Sequence, residues 1–212
     1  MVSQSVRIRF RKTGRLRYIS HLDICRTMCP AMIRAKIPLW YTEGFNPHPK
    51  MVFAQPLPLF VMSECELLDI KITEDIGCDE ICKRLRGAFT DELYVEEVYY
   101  PQRKFAEIAY AEYRITNSDN IDQPKLDAIM SGDIIVLKKT KSGEKEINIR
   151  PQIREVKLLG DGVITAVLSA SGEAYLNPDI FCRAFDSALG SGDADHEITR
   201  IGWYDKDMKP FI

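Results

Sequence analysis

Residues 5–12 read SVRIRFRK and alternate apolar side chains with arginines. In an extended chain Val6, Ile8 and Phe10 point to one side, and the arginines beside them point to the other. A period of two is typical of a strand that buries one face and exposes the other. The stretch therefore predicts a first β-strand with a core face and an arginine face.

The segment after this strand predicts a helix that begins at Ser20. A serine there can cap the free N–H groups of the first turn, and Asp23 suits the positive end of the helix dipole. The stripe predicted to face the core consists of Leu22, Cys25, Cys29, Met32 and Ile33. Pro30 is expected to kink or shorten the helix, because a proline removes a backbone hydrogen bond.

The rest of the first half predicts a strand, a strand, a helix and a strand. Their ranges are 50–60, 64–75, 79–89 and 93–101. The complete order is β-α-β-β-α-β, which is that of the ferredoxin-like motif. After a polar link at 101–107 the same order repeats, apart from one additional hairpin, and its second helix is predicted to begin at Asn177 and Pro178. The predicted fold class is therefore α+β, with two tandem ferredoxin-like halves on antiparallel sheets, a basic half at 1–101 and an acidic half at 108–212.

Composition and the first residues bear on the cellular compartment. The chain has 212 residues and 45% hydrophobic content, which fits a globular core. No apolar run approaches the roughly 18 residues of a membrane span, and the first residues lack the apolar segment of a signal peptide. The sequence predicts a cytoplasmic protein with no membrane partner.

Six cysteines in a chain without a secretory signal indicate reduced thiols. Cys25 and Cys29 are four residues apart, as are Cys78 and Cys82, whereas the usual zinc spacing has two intervening residues. These cysteines are interpreted as small buried hydrophobes, and neither a metal nor a cofactor is predicted. The Cys-x3-Cys-x2-Cys run of a radical SAM cluster is absent, so this chain should not itself carry radical SAM chemistry.

The charge of the chain is distributed unevenly. Residues 1–60 contain ten lysines and arginines and two acidic residues, which gives +8, so the remainder carries −10 of the total net charge of −2. A basic block of this kind predicts a surface that meets a polyanion such as nucleic acid. The alternative is that the basic residues dock on the acidic half of the same protein.

Two basic segments are the predicted nucleic-acid surface. In the loop EGFNPHPK (43–50), two prolines stiffen the chain around His48, and pre-organisation of this kind suits recognition. In KTGRLRYISHLD (12–23), Arg15 and Arg17 flank Leu16 in a segment predicted to be extended. The ring of Tyr18, which follows them, is suited to stacking on a base. The predicted contacts are Arg15, Arg17, Tyr18, Asn46, His48 and Lys50.

Histidines supply a catalytic alternative. His21 is predicted at the first helical position, and His21 and His48, with Asp23 orienting one of them, would form a general acid–base pair. The same three side chains would also suit a divalent metal. His196 lies in a Gly/Ser/Asp-rich loop and is predicted to be solvated. Common nucleotide-binding and hydrolase motifs are absent.

Three stretches resemble one protein family. They are RFRKTGRLRYISHLD (9–23), YTEGFNPHPKMVFAQPLPL (41–59) and SECELLDIKI (63–72). They are similar to the core of a bacterial family of uncharacterised function, known as DUF2344 or the radical-SAM-associated family. The resemblance is close over residues 7–73 and looser elsewhere, and Cys25, Cys29 and Pro30 depart from the family pattern. It implies association with a radical SAM protein and with RNA metabolism.

Three functions are therefore left open. The first is an RNA-binding accessory module for tRNA or rRNA, associated with a radical SAM protein, whose affinity falls steeply with salt. The second is a metal-independent enzyme that cleaves or modifies RNA with His21 and His48. Tandem ferredoxin-like halves with a histidine near the first helix are also similar to the repeat-processing endoribonucleases of CRISPR systems, although fold analogy alone says little about function. The third is a protein–protein adaptor. The chain is predicted not to be an enzyme on its own.

Overall fold

The computed structural model describes residues 3–116, 121–140, 143–190 and 195–212. The chain divides into two compact units, Met1–Glu107 and Ile108–Ile212, here called unit 1 and unit 2. The described residues form four α-helices and sheets whose strands pair antiparallel within each unit. The predicted α+β class is therefore confirmed at this level.

From residue 3 onward, unit 1 contains four strands and two α-helices. In chain order they are β1 (Gln4–Lys12), α1 (His21–Arg34), β2 (Met51–Phe53), β3 (Met62–Ile72), α2 (Cys78–Ala88) and β4 (Leu93–Tyr99). The strands lie in the order β4-β1-β3-β2, so β1 and β3 are central. Both helices contribute buried apolar side chains to one core with this sheet.

Strand β1 buries more than its apolar face. Val6, Ile8 and Phe10 are buried as predicted, but Arg7 is also completely buried and Lys12 almost completely. Arg7 donates to Asp69 on β3 and to the carbonyl of Arg103, and its guanidinium lies 4.0 Å from the centre of the Phe105 ring. These contacts make residues 103–105, in the segment predicted as a link, part of unit 1.

The buried stripe of α1 differs from the predicted one. The buried residues are Ile24, Met28, Ala31 and Met32, whereas Leu22 and Ile33 are exposed. Cys25 and Cys29 are half-buried beside the stripe, because that flank of the helix lines a surface groove. The helix also continues past Pro30 to Arg34, so the expected shortening does not occur. The predicted cap is confirmed, since Ser20 Oγ accepts from the Asp23 N–H at 3.2 Å.

The strand predicted at 50–60 is much shorter in the structure. Only Met51–Phe53 pair with β3, in strand β2. Pro56 and Pro58 have no N–H groups to donate, which explains why the ladder does not continue through this segment.

The described residues of unit 2 form six strands and two α-helices. They are β5 (Ile108–Thr116), α3 (Gln123–Ser131), β6 (Ile135–Thr140), β7 (Gly143–Asn148), β8 (Ile153–Gly160), β9 (Val163–Ser169), α4 (Pro178–Leu189) and β10 (Glu197–Asp205). One sheet has the order β10-β5-β9-β8, and β6 and β7 form the additional hairpin. Helix α4 begins as predicted, with Asn177 as its cap and Pro178 in the first turn.

The prediction that His196 is solvated is wrong. Its side chain is 7% exposed, and its Nε2 lies 2.8 Å from a carboxylate oxygen of Asp186 on α4. Its Nδ1 lies 3.3 Å from the carbonyl oxygen of Thr116. Both ring nitrogens therefore face oxygen atoms that can accept a hydrogen bond. The polar composition of residues 190–197 hid this contact, because the partner lies in a helix ten residues earlier.

Candidate functional site

The segment before α1 is a short 3₁₀ helix, Gly14–Tyr18, rather than the extended segment predicted from its sequence. Gly14 adopts a left-handed φ of 57°, and the Thr13 N–H donates to the Glu92 carbonyl just before β4. The Phe60 N–H donates to the Arg17 carbonyl at 2.8 Å. The basic segment is thereby held between two other parts of unit 1.

We expect Gly14→Ala to lower the free energy of unfolding of unit 1 by about 1–2 kcal/mol, the cost of a left-handed conformation for a residue with a side chain. A Cβ atom at Gly14 would also lie 2.6 Å from Glu92 Oε1, the partner of Arg15. Urea denaturation followed by Trp40 fluorescence measures the change.

The matched control for this substitution is Gly87→Ala in α2. No atom lies within 4 Å of a Cβ built at Gly87, and its backbone is helical. Alanine in a helix is about 0.5–1 kcal/mol more favourable than glycine, so we expect unchanged or increased stability. Equal destabilisation by the two substitutions would contradict a special requirement for glycine at position 14.

Exposed rings lie beside cations at the start of α1. The Tyr18 and Phe60 rings are both exposed and contact edge to face, with centroids 6.1 Å apart. The Arg17 guanidinium lies 4.9 Å from the centre of the Tyr18 ring and donates to its hydroxyl. Phe45, at the tip of the 43–50 loop, is fully exposed. The five side chains of Arg17, Tyr18, Phe45, Phe60 and Lys50, the last at the base of that loop, are together called the aromatic cluster below.

The 43–50 loop is closed by backbone hydrogen bonds. The Thr42 N–H donates to the His48 carbonyl at 2.9 Å, the Lys50 N–H donates to the Trp40 carbonyl, and Tyr41 bridges to Pro49. Residues 40 and 50 are in turn joined to Lys71 on β3. The loop is therefore anchored to the sheet at its base while its tip faces solvent.

Two oxygens lie close to the Nδ1 of His48. They are the carbonyl oxygen of Asn46, at 3.1 Å, and Thr42 Oγ1, at 3.2 Å. The contact with Asn46 favours the tautomer that carries the hydrogen on Nδ1, because a carbonyl oxygen only accepts. In that tautomer the Nε2 keeps its lone pair and can accept a proton or a hydrogen bond.

An open groove of about 470 Å³ lies between α1 and the segment 48–56. Four polar side chains line it, His21, Cys25, Cys29 and His48, and the other lining residues are Pro49, Met51, Val52, Phe53 and Pro56. The two predicted site histidines therefore line one groove. Tyr18 is three residues before His21, so the aromatic cluster begins within about 11 Å of the groove along the chain.

His21 is packed from several sides. Its ring meets the edge of Phe53 with centroids 4.7 Å apart, and its Nε2 lies 3.6 Å from Cys25 Sγ. Burial lowers the pKa of His21, with a smaller opposing effect from the Glu66 carboxylate. Burial also raises the pKa of the Cys25 thiol. At neutral pH the imidazole and the thiol are therefore both favoured in their uncharged forms.

Asp23 does not take part in this arrangement. Its carboxylate accepts from Ser20 Oγ at 2.6 Å and pairs with Arg26, and the Ser20 hydrogen bond lowers its pKa. Asp23 contacts neither His21 nor His48 in the described part of the chain. The carboxylate that opposes the lowering of the His21 pKa is that of Glu66 on β3. Neither Glu66 nor Lys12, which lies beside it, was predicted from the sequence as a site residue.

Much of the basic block is neutralised within unit 1. The ion pairs are Arg7–Asp69, Arg9–Glu97, Arg11–Glu96 and Arg15–Glu92. The acidic partners of these four arginines lie on β3, on β4 and just before β4, within unit 1. Lys50, in contrast, is exposed and forms no ion pair with any described residue.

Several groove and surface residues carried little signal in the sequence. The sequence predicts Cys25 and Cys29 in the core, because the apolar stripe predicted for α1 is rotated toward them relative to the stripe that is buried in the structure. Neither Phe45 nor Phe60 was predicted to be part of the site, although Phe45, which follows Gly44 in a polar loop, could have been recognised as an exposed ring. Glu66 lies in a strand whose neighbours are apolar, and only the fold brings it beneath His21.

As the side chains stand, no three histidine, cysteine, aspartate or glutamate residues in the described ranges are close enough to hold a metal ion. The same ranges include no helix with the length and apolar content needed to cross a membrane.

Comparison with known proteins identifies one family. The family model described as "Uncharacterized protein conserved in bacteria (DUF2344)" matches residues 5–178. Comparison with curated proteins gives no match. The match extends well beyond residues 7–73, where the resemblance in the sequence was close.

Proposed function

We propose that this chain, which belongs to the DUF2344 family of uncharacterised bacterial proteins, is a cytoplasmic accessory module that binds single-stranded RNA through unit 1. The observation that carries the proposal is the aromatic cluster, which offers three exposed rings, the Arg17 guanidinium over the Tyr18 ring, and the exposed Lys50 next to two residues that line the groove. Proteins bind single strands by stacking bases on such rings while cations contact the phosphates.

Stacking is expected to supply most of the affinity. Each base stacked on an aromatic side chain contributes about 1–3 kcal/mol. Phosphate contacts contribute less than the sequence suggests, because Arg9 and Arg11 pair with glutamates of unit 1. With Arg15, Arg17 and Lys50 as the phosphate contacts, log K should fall with log[salt] with a slope of about −2, at roughly −0.7 per phosphate for single strands.

We expect Phe45→Ala to weaken the binding of a labelled single-stranded RNA of about 12 nucleotides by roughly 5- to 100-fold, the loss of one stacked base. Lys50→Ala should weaken binding less and make the salt slope shallower by about 0.7. Fluorescence anisotropy over a range of salt concentrations measures both.

The matched control is Tyr100→Ala, which removes another exposed ring of unit 1 outside the aromatic cluster. It should bind RNA as the unaltered protein does. Absence of RNA binding at low salt, or equal effects of Phe45→Ala and Tyr100→Ala, would refute the proposal.

The family resemblance extends the proposal to partners. We propose that the RNA is a tRNA or rRNA element whose unpaired loops reach the aromatic cluster, with Asn46 and His48 contacting bases or sugars. The module would present this RNA to a radical SAM protein. Crosslinking in cells, followed by identification of the bound RNA and proteins, tests this part separately.

For the architecture we propose two ferredoxin-like halves. Strand β3 lies between β1 and β2 in unit 1, and β9 lies between β5 and β8 in unit 2, as the split β-α-β motif requires. The hairpin β6–β7 would be an insertion in the second half.

Catalysis on RNA is a second candidate function, because His21 and His48 line the same groove. His48 would accept a proton at Nε2, and a general base must reach its proton directly or through one water. Metal-free cleavage of single-stranded RNA that is lost in both His21→Asn and His48→Ala would support it. Intact RNA after incubation with the unaltered protein would exclude it for that substrate.

A protein–protein adaptor is a third candidate, favoured by the exposed apolar side chains of Leu22, Leu59 and Phe60. Patches of this kind mark docking surfaces as well as ligand sites. Crosslinks from these positions to a protein, with none to RNA, would favour the adaptor over the RNA-binding module.

A further inference from the structure

Strand β2 is an edge strand that borders the groove. Among the described residues it pairs only with β3. Its residues Met51, Val52 and Phe53 all line the groove. The side chains of Met51 and Phe53 pack against the core, whereas that of Val52, on the opposite face, is exposed. Because residues from both faces of the strand line it, the groove runs along the edge of β2 that β3 does not occupy.

The outer edge of β2 carries backbone groups without partners. The ladder bonds on either side of the strand are made by Lys50, which accepts from the Lys71 N–H, and by Ala54, which donates to β3. Bonded and non-bonded pairs alternate in an antiparallel ladder, so the N–H and C=O groups of Met51 and Phe53 point away from β3. No hydrogen bond joins these four groups to another described residue.

The lining of the groove suits an extended peptide better than a nucleic acid. None of the lining residues is a lysine or an arginine, and most are apolar or proline. Unpaired groups along a strand edge are a template for the backbone of another chain, and extended peptides bind proteins by adding a strand to such an edge. Pro49 and Pro56 flank β2 and keep the open edge short.

We propose that the groove binds an extended segment of a partner protein, which adds a strand to the edge of β2 and places an acidic side chain beside Lys50. Alternate residues of that segment exchange backbone hydrogen bonds with Met51 and Phe53. Side chains directed toward α1 are apolar, and those between them lie beside Val52. Lys50 is exposed and forms no ion pair with any described residue, so it supplies the charge that the acidic side chain complements.

Selection from a phage-displayed library of random peptides of about nine residues, against the full-length protein, supplies the probe. We expect the selected peptides to share an acidic residue and an apolar residue at every second position. When one of them binds, hydrogen exchange measured by NMR should become slower at the amides of Met51 and Phe53. Exchange at Val52 should not change, because its amide already faces β3.

N-methylation of the selected peptide distinguishes strand addition from contacts made by side chains alone. Each methyl group removes one backbone N–H. We expect methylation to weaken binding by roughly 2- to 10-fold or more at alternate residues, the value of one backbone hydrogen bond, and to have little effect at the residues between them. Fluorescence anisotropy of the labelled peptide measures the affinities. Tolerance of methylation at every position would overturn the proposal.

Met51→Pro tests the protein side of the same contact. It removes an outward N–H that the fold does not use, and a proline is compatible with an edge strand. The matched control is Met51→Ala, which loses the side chain but keeps the N–H. We expect Met51→Pro to bind the peptide about 10-fold more weakly than Met51→Ala. Circular dichroism establishes folding, and equal affinities of the two folded variants would overturn the site. If Met51→Pro does not fold, the methylated peptides decide.

Other occupants of the edge give distinct results. Slower exchange at Met51 and Phe53 as the concentration of the protein alone rises would assign the edge to a second copy of this chain. Slower exchange with single-stranded RNA, and with no peptide, would assign it to RNA. The proposal rests on the backbone of β2 and not on exposed rings, so loss of peptide binding leaves the effect of Phe45→Ala on RNA binding unchanged.

Discussion

The variant Asp69→Ala is expected to lower the free energy of unfolding of unit 1 by about 3–5 kcal/mol, because it leaves a buried guanidinium without its counter-ion. Arg7 is completely buried, and its Nε and Nη2 donate to the two carboxylate oxygens of Asp69 at 2.7 and 2.9 Å. The Arg103 carbonyl and the Phe105 ring also contact the guanidinium but carry no negative charge to replace the carboxylate.

Urea denaturation followed by Trp40 fluorescence in a Trp203→Phe background reports unit 1 alone. The matched control is Glu97→Ala, which removes the partner of Arg9 on the neighbouring strand. In that pair the side chains are 36% and 50% exposed, so the expected change is at most about 1 kcal/mol. A loss for Asp69→Ala no larger than that of the control would mean that the buried pair is not an important part of the fold.

A double substitution distinguishes the net contribution of the Arg7–Asp69 pair to the free energy of unfolding from the cost of removing only one of its partners. Arg7→Met combined with Asp69→Leu replaces both charges by apolar groups of comparable size. Such replacements are often neutral or stabilising, because they remove the cost of desolvating two ions. The double variant should therefore be more stable than Asp69→Ala.

The second large effect is expected in unit 2. Asp186→Ala should lower the free energy of unfolding of unit 2 by about 3 kcal/mol, since breaking a buried pair leaves the His196 Nε2 without its carboxylate partner. The side chains of His196 and Asp186 are 7% and 8% exposed. Phe181, Phe185 and Ile164 lie around them. The same carboxylate adds to the burial that raises the pKa of Cys182.

Trp203 is buried in unit 2, so its fluorescence in a Trp40→Phe background follows this unit. Asp179→Ala is the matched control, because Asp179 lies on the same helix and pairs with Arg183, with exposures of 50% and 68%. A change within about 1 kcal/mol is expected there. Comparable losses for Asp179→Ala and Asp186→Ala would contradict the importance of the buried contact.

Local patterns predicted much of the fold and part of the site. The alternation in SVRIRFRK, the Ser20 cap and the Asn177–Pro178 start each depend on residues within a few positions of one another, and each is confirmed. The loop at 43–50 was identified from its prolines, and the structure anchors its base to β3. The apolar periodicity did not predict the buried stripe of α1 correctly, because a cysteine counts as apolar in the pattern whether it faces the core or a groove.

What the sequence determined by itself was therefore the kind and order of the elements, because period, capping and proline chemistry act within a few residues. The tertiary structure alone decided which polar groups are buried and with what they pair. Arg7 meets Asp69 across 62 residues, and only the fold brings His48 and His21 to the lining of one groove. The energy of a buried charge depends on partners that are distant in the chain, and no local pattern records them.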